Sequence, residues 1–230
     1  MHLTASLLTA VSSIGYVSAV GVSSRESCDT DKLDSATFFY PITVDGTTVF
    51  DVAKATKRGV CDIGRENLMA DVEIIPNVGQ SIRIPPQVCE PDNETCLLSG
   101  PGTRNCVLGG PRLYYTQRGD TYAKIAGRLN MTVSSLTSGN ETSATEQLPV
   151  GQFVKVPLCD PSECVIQPFQ MSSKVVYKDL ADRYGSTVGQ IISLSPTYNY
   201  SNGANAASPD PSISIPVNCT LLDSDYDVLG

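Results

Sequence analysis

Acid–base or nucleophilic chemistry has few candidate residues in this chain. The only histidine is His2, which excludes Ser-His-Asp and Cys-His catalysis and histidine-ligated metals from the rest of the chain. Two carboxylates could still hydrolyse a glycosidic bond. The candidates for such a pair are Glu66, Asp71, Glu73, Asp179 and Asp182. Small domains seldom form a cleft deep enough to raise the pKa of an acid, so we interpret these residues as surface charges. We therefore expect no enzyme, no cofactor and no metal.

Cysteine provides the other potentially reactive group. The eight cysteines are Cys28, Cys61, Cys89, Cys96, Cys106, Cys159, Cys164 and Cys219. An even number in an exported chain predicts four disulfides, because thiols pair with each other in an oxidising compartment rather than bind zinc. Five of the eight lie in the linkers at residues 89–111 and 159–164, and this clustering predicts rigid packing between the flanking domains.

The first residues predict export. Residues 3–20 carry no charge, are moderately apolar and end in Val17-Ser18-Ala19, small residues that suit signal peptidase. We expect a signal peptide at 1–19 and a secreted, extracellular product. No later apolar run is long enough to span a membrane.

Glycosylation is predicted at five Asn-x-Ser/Thr sites. These sites are Asn93, Asn130, Asn140, Asn199 and Asn218, the last with a cysteine at its middle position. The net charge of −8 argues against nucleic acids and anionic membranes as partners, because binders of phosphate concentrate Lys and Arg. A neutral ligand suits this chain better.

An internal repeat determines which elements must position any site. Each copy has an apolar run, a small polar turn, an amphipathic stretch ending in alanine, and a β-like run that closes on proline. The first copy comprises residues 38–40, 45–48, 52–53 and 82–85. The second comprises residues 113–115, 119–121, 125–126 and 153–157. A third, more divergent copy keeps Leu180-Ala181 and residues 213–216.

The second copy reads as strand, helix, helix, strand. Residues 113–116 are aromatic and β-branched, whereas 122–129 place Tyr122, Ile125, Ala126 and Leu129 at helical spacing. Thr132 caps a second helix, and a closing strand follows at 153–156. The first copy repeats the pattern with its second helix near 63–68, and the third has its second helix at 187–194.

These residues resemble the LysM (lysin motif) family. In the second copy the matching motifs are Gly119-Asp120-Thr121, Ile125-Ala126, Val150-Gly151-Gln152 and Val156-Pro157. In the first copy they are Gly46, Thr48, Val52-Ala53, Val78-Gly79-Gln80 and Ile84-Pro85. The whole arrangement looks like the secreted fungal LysM effectors. The resemblance implies an α+β chain of three βααβ LysM domains, packed together and stapled by four disulfides.

The implied domains are 36–88, 111–159 and 165–219, followed by an acidic tail at 220–230. The third is degenerate, because Lys174-Val175-Val176 replaces Gly-Asp-Thr and Asp210-Pro211 replaces Gly-Gln. The resemblance extends to the fold of this third domain. Whether its residues 171–176 and 202–208 bind sugar stays an open question. Strands that are antiparallel bring the entry of a domain near its exit, which favours Cys28–Cys89 and leaves Cys61 with Cys96. The other four cysteines pair as Cys106–Cys159 and Cys164–Cys219, or exchange partners across the short linker.

LysM domains hold N-acetylglucosamine polymers between the first turn and the loop before the second strand. By resemblance, the chitin-binding residues of the first copy are Asp45, Gly46, Thr47, Thr48, Val49, Ile75, Pro76, Asn77 and Val78. Those of the second copy are Gly119, Asp120, Thr121, Tyr122, Gln147, Leu148, Pro149 and Val150. Backbone amides in such turns can pair with the acetamide, and aliphatic side chains can pack its methyl group. The alternative is that these residues only cap helices and form turns.

The implied function is non-catalytic binding of chitin or its oligosaccharides, with ligand-bridged self-association. The protein would sequester chitin fragments from host receptors, or associate with the fungal wall and shield it. Peptidoglycan shares the N-acetylglucosamine unit and stays open as a ligand. A different class of function is a disulfide-rich protein-binding or inhibitory module that uses the LysM units only as scaffold.

Overall fold

The computed structural model of the chain describes residues 28–137, 144–171, 174–196 and 211–230. The predicted signal peptide at 1–19 and the predicted glycosylation sites Asn140 and Asn199 lie outside the described residues. Within the described ranges, no helix combines the length and apolar character needed to cross a membrane.

The described elements alternate as the repeat predicts. The strands are β1 (Phe38–Pro41), β2 (Ser81–Ile84), β3 (Val107–Leu108), β4 (Leu113–Tyr115), β5 (Phe153–Lys155), β6 (Leu158–Asp160), β7 (Ser162–Gln170), β8 (Ser212–Leu221) and β9 (Asp227–Leu229). The helices are α1 (Val49–Thr56), α2 (Val60–Glu66), α3 (Tyr122–Leu129), α4 (Val133–Thr137), α5 (Tyr177–Tyr184) and α6 (Val188–Leu194), with a short 3-10 turn at Thr30–Lys32.

Three strand–helix–helix–strand units follow from this order. Unit one (residues 38–84) pairs β1 with β2, unit two (113–155) pairs β4 with β5, and unit three (162–221) pairs β7 with β8, each pair antiparallel. The predicted α+β class is confirmed. The second helix of unit one begins at Val60 rather than near residue 63. Its first amides are capped from the linker, where Asn93 Oδ1 and the Asp92 carbonyl accept from Val60 and Cys61 (3.1 and 2.9 Å).

Four disulfides are present, as predicted. They are Cys28–Cys89, Cys61–Cys96, Cys106–Cys159 and Cys164–Cys219. Each bridge closes a chain segment within or around one unit, so none of the four ties one unit to another, although five cysteines lie in linkers. The closed loops span 35 to 61 residues, and constraining each in the unfolded chain stabilises the fold by about 4 kcal/mol in the loop-entropy model.

Packing between side chains joins the units instead. One buried cluster is continuous through units two and three, and includes Tyr114, Ile125, Leu129, Ile191 and Ile215. Here α6 approaches α3 closely, since a Cβ on Gly189 would lie 2.5 Å from Leu129 Cδ2. A second cluster fills unit one and receives Val176 from unit three.

The linkers and the C-terminal segment build a further small sheet. β6 pairs parallel with β3 and antiparallel with β9, so that Leu158 lies opposite both Val107 and Leu229. The segment predicted as an acidic tail therefore continues β8 to Leu221 and then returns as β9. The pairing is non-local, and the acidic composition of the segment gave no indication of a strand.

Candidate functional site

The first wall of the predicted site in unit one is turn one (residues 45–49). Gly46 adopts a positive φ of 80°, which glycine tolerates without a Cβ penalty. Thr48 caps α1 in a capping box: its hydroxyl accepts from the Asp51 amide (3.1 Å), and the Asp51 carboxylate accepts from the Thr48 amide (2.9 Å). Asp45 and Gly46 are exposed, Thr47 and Thr48 are half-buried, and Val49 belongs to the core.

The second wall of unit one is loop one (residues 75–78). The Gly79 amide just beyond it donates to the Ile42 carbonyl (2.8 Å), and the Asn77 amide donates to Gln80 Oε1 (2.6 Å). The first bond holds the end of loop one beside Ile42, three residues before turn one, and the second fixes the shape of loop one itself. Asn77 and Val78 are exposed, Ile75 is half-buried and Pro76 is buried. We call the surface between turn one and loop one groove one.

Unit two repeats the arrangement with turn two (residues 119–122) and loop two (147–150). The Gly151 amide donates to the Thr116 carbonyl (3.1 Å), in the position of Gly79 and Ile42. The Leu148 amide also donates to the Asp120 carbonyl (2.8 Å), which joins turn two directly to loop two. The surface between them is groove two, where Gln147, Pro149 and Val150 are exposed and Leu148 is half-buried.

The remaining predicted residues of unit two have structural contacts. Thr121 caps α3 by accepting from the Lys124 amide (3.1 Å), and Tyr122 packs half-buried against the shared core. Gly119 is buried, with a positive φ of 86°. These contacts place Thr121 and Tyr122 at the base of groove two.

Asp120 does not present its carboxylate to groove two. The side chain is 0% exposed and forms an ion pair with the buried guanidinium of Arg128. Arg128 also binds Asp71 of unit one (2.6 Å) and the Tyr114 hydroxyl (2.8 Å). The predicted role of Asp120 is therefore limited to its backbone, and its side chain helps to join units one and two.

Burial and charge shift the pKa values in this cluster. Burial raises the pKa of the Tyr114 hydroxyl well above its ordinary value. For Arg128, burial alone lowers the pKa, but Tyr114, Asp120 and Asp71 together hold it well above the ordinary arginine value. The cluster is thus a charged arginine compensated by two carboxylates, one from each unit.

Arg118, which lies outside the predicted set of binding residues, connects the two sites. Its carbonyl accepts from the Ile75 amide (3.3 Å), and its guanidinium forms an ion pair with Asp45 and a hydrogen bond with Asn77 Oδ1 (3.4 Å). The only trace of this contact in the sequence is that Asp45 and Arg118 occupy equivalent repeat positions with opposite charges.

Comparison with known proteins identifies the family. The family model for the LysM domain matches residues 114–157, which is almost all of unit two. Secreted LysM effector LysM13 of Penicillium expansum is 43% identical over 210 residues, which cover 89% of this chain and 89% of that protein. The chain is a member of the secreted LysM effectors. Secreted LysM effector ECP6 of Passalora fulva is 34% identical over 160 residues, or 68% of this chain and 69% of that protein.

In this LysM effector the turn of unit three is buried, with Val176 in the cluster of unit one and Val175 in the cluster of units two and three. Val175 and Val176, at the position of Asp120 and Thr121, are 5% and 1% exposed. Arg65 of α2 binds Asp179 of α5 and Asp92 of the linker, both at 2.7 Å. Partial burial would raise the pKa of Asp179, but hydrogen bonds from Arg65 and from the Val176 amide keep it below its ordinary value. The facing segment at 202–208 lies outside the described residues.

Most of the acidic residues of the effector that could have formed a catalytic pair are bound to cations. Glu66 pairs with Arg83 (3.1 Å) and Lys174 (2.7 Å), and Asp182 pairs with Lys178 (2.6 Å). Asp71 and Asp179 bind Arg128 and Arg65 as described above. The lowered pKa of Asp179 keeps that carboxyl in its charged form, which is the wrong form for a general acid. Within the part of the chain that the structure describes, no cluster of His, Cys, Asp and Glu could hold a metal ion.

The three predicted glycosylation sites of the effector that are described lie at exposed positions: Asn93, Asn130 and Asn218. Asn130 ends α3 in the left-handed conformation (φ 53°), and Asn218 has a similar φ of 52°. The Oδ1 atom of Asn93 accepts from the Val60 amide at the start of α2, and its Nδ2 donates to the Pro91 carbonyl (3.3 Å). Glycosylation at these sites stays a prediction.

Proposed function

We propose that this effector binds oligomers of N-acetylglucosamine without catalysis, and that groove two is its main site. One observation carries the proposal: turn two and loop two are joined by the Leu148–Asp120 hydrogen bond while Gln147, Pro149 and Val150 stay exposed. This surface lies in the segment that matches the LysM domain. It offers a pre-formed, uncharged strip of backbone and aliphatic groups.

The chemistry of the sugar suits such a strip. Each N-acetylglucosamine has an amide donor, an amide acceptor and a methyl group beside a ring of hydroxyls. Backbone groups of loop two can pair with the acetamide, each bond contributing about 1 kcal/mol. Val150, 62% exposed in the free protein, can pack against the methyl group and lose contact with water. A shallow groove of this kind binds weakly by itself, and additional grooves in the same chain raise the affinity through effective concentration.

The proposal extends to the domain organisation. We infer LysM domains at 36–88, 111–159 and 165–219. The first two ranges contain units one and two, and the third covers unit three except for the outer ends of β7 and β8. Groove one is the second proposed site. Outside the fungal cell, such a protein would hold chitin fragments away from host receptors or coat the fungal wall. One oligomer could also bridge two copies of the protein.

Calorimetry on the full chain tests the proposal. Titration with chitohexaose should release heat, and Val150→Asp should weaken binding about tenfold, because it places a charge against the acetamide methyl group. Val165→Asp is a matched control, since Val165 is 58% exposed on β7, away from the groove residues. Absence of heat at millimolar sugar would overturn the proposal. A parallel titration with peptidoglycan fragments decides between the two polymers.

A further inference from the structure

We propose that Arg118 of unit two closes groove one, so that sugar fills groove two first and enters groove one only when this guanidinium moves away. The inference rests on the proposed function and adds a residue that determines which groove is available. It is supported by three separate contacts between the start of turn two and the walls of groove one.

The backbone contact removes a donor from groove one. The Ile75 amide, at the start of loop one, is bonded to the Arg118 carbonyl (3.3 Å). Pro76 has no amide hydrogen, and the Asn77 amide is bonded to Gln80 Oε1. The first three residues of loop one therefore offer no free amide hydrogen to a sugar, and one of these donors, the Ile75 amide, is occupied by unit two.

Close packing fixes the position of Arg118. Gly119 lies against Ile75, where an added Cβ would be 2.9 Å from both Cγ1 and Cδ1 of the isoleucine. Its positive φ of 86° further restricts this position to glycine. Turn two is thus seated on loop one, which places Arg118, the residue before Gly119, beside groove one.

The guanidinium spans groove one. It pairs with Asp45 in turn one and bonds Asn77 Oδ1 in loop one, so it touches both walls. A sugar ring between these walls would occupy the same space. The side chains of Arg118 and Asp45 are 30% and 74% exposed, so water and salt screen their attraction. The closure is consequently reversible, and its removal should strengthen sugar binding at groove one by about two- to fivefold.

Amide NMR titration of the full chain with chitotriose tests the inference site by site. In the natural sequence, amides of residues 147–151 should respond at lower sugar concentration than amides of 45–48 and 77–79. In Arg118→Ala, the amides of groove one should respond at a two- to fivefold lower chitotriose concentration than in the natural sequence. The concentration at which groove two responds should not change. Asp45→Asn, which frees the guanidinium from the opposite wall, should shift groove one in the same direction.

Arg112→Ala is the matched control. Arg112 is an exposed arginine that immediately precedes β4 and donates to the carbonyls of Leu229 and Gly230 (3.3 and 3.0 Å). Its removal should change neither groove. If Arg118→Ala leaves groove one unchanged, or weakens it while groove two still binds, the inference is wrong and the proposed function stands. If neither protein responds at either groove, both fall together.

Discussion

Turn one and turn two occupy equivalent positions in the repeat, yet different interactions hold them. Gly46 and Gly119 share a positive φ, and Thr48 and Thr121 each cap the helix that follows. Around Gly46 there is open space, whereas Gly119 is packed against Ile75 of the neighbouring unit. The local backbone is therefore conserved between the two turns while their surroundings differ.

The residue after the glycine shows the same contrast. In turn one, Thr47 is half-buried and donates to the Val44 carbonyl (2.8 Å). In turn two, Asp120 is fully buried against Arg128, which occupies the position that exposed Ala55 has in α1. One copy of the turn is thus held by local bonds, and the other is part of the interface between two units. A repeated motif can accordingly keep its shape while the residue after its glycine changes from a half-buried threonine to a buried ion.

The largest expected difference between the turns comes from Arg128. Arg128→Met would leave Asp120 and Asp71 buried without their counter-charge and should lower the free energy of unfolding by about 3–5 kcal/mol. The equivalent exposed position in unit one, Ala55→Met, should change it by less than about 0.5 kcal/mol. Chemical denaturation followed by circular dichroism measures both. Equal effects would show that the buried ion cluster does not distinguish the two turns.

The two glycines give the next largest difference. Gly46→Ala should cost about 1 kcal/mol, because alanine is strained at positive φ but meets no neighbour there. Gly119→Ala should cost roughly 2–3 kcal/mol, since its Cβ must also displace Ile75. Thermal unfolding of the two variants provides the measurement. Equal costs would mean that turn two can move away from loop one without loss.

The smallest difference is a response to acid. The Thr48 hydroxyl and amide, by hydrogen bonding to Asp51, hold the pKa of this carboxyl below its ordinary value of 3.8. A lowered pKa means that the stabilisation is present above pH 3.8 and is lost as the pH falls through the folded-state value. The equivalent position in unit two is Lys124, which has no carboxyl to protonate.

Amide hydrogen exchange resolves this effect at the start of each helix. Below about pH 4, the first turn of α1 should lose protection relative to the first turn of α3. At neutral pH, Asp51→Asn should reduce the difference in amide protection between the first turn of α1 and the first turn of α3. Parallel loss of protection in both helices would assign the acid response to the whole fold rather than to the cap of turn one.

Local sequence pattern predicted the elements of each unit well. The helix at 122–129 agrees with the structure to the residue, because its apolar spacing, the Thr121 cap and the terminal Asn130 all act within one short segment. The start of α2 was wrong by about three residues, because its capping groups come from Asp92 and Asn93 in the linker. Strand β9 was not predicted, since its partner strand is distant in the chain.

The candidate site also has features that the local sequence predicts and features that depend on contacts between units. Gly, Asp and Thr at repeat spacing predicted the turns and loops of both grooves, and in unit two a hydrogen bond joins the turn to its loop. That these residues bind chitin stays a prediction. The chemical role of Asp120 could not be read from that motif, because Arg128 is on a helix and Asp71 is in another unit. The contact of Arg118 with groove one could not be predicted either, because it depends on how two units pack.

The sequence by itself determined the family, the strand–helix–helix–strand repeat and the requirement for four disulfides. Periodicity, capping residues and cysteine number act through local or unit-sized contacts, which one chain segment contains in full. Only the tertiary structure decided which copies of the turn are open, because burial depends on neighbours far away in sequence. Turn one meets Arg118, turn two meets Ile75 and Arg128, and the turn of unit three meets α2.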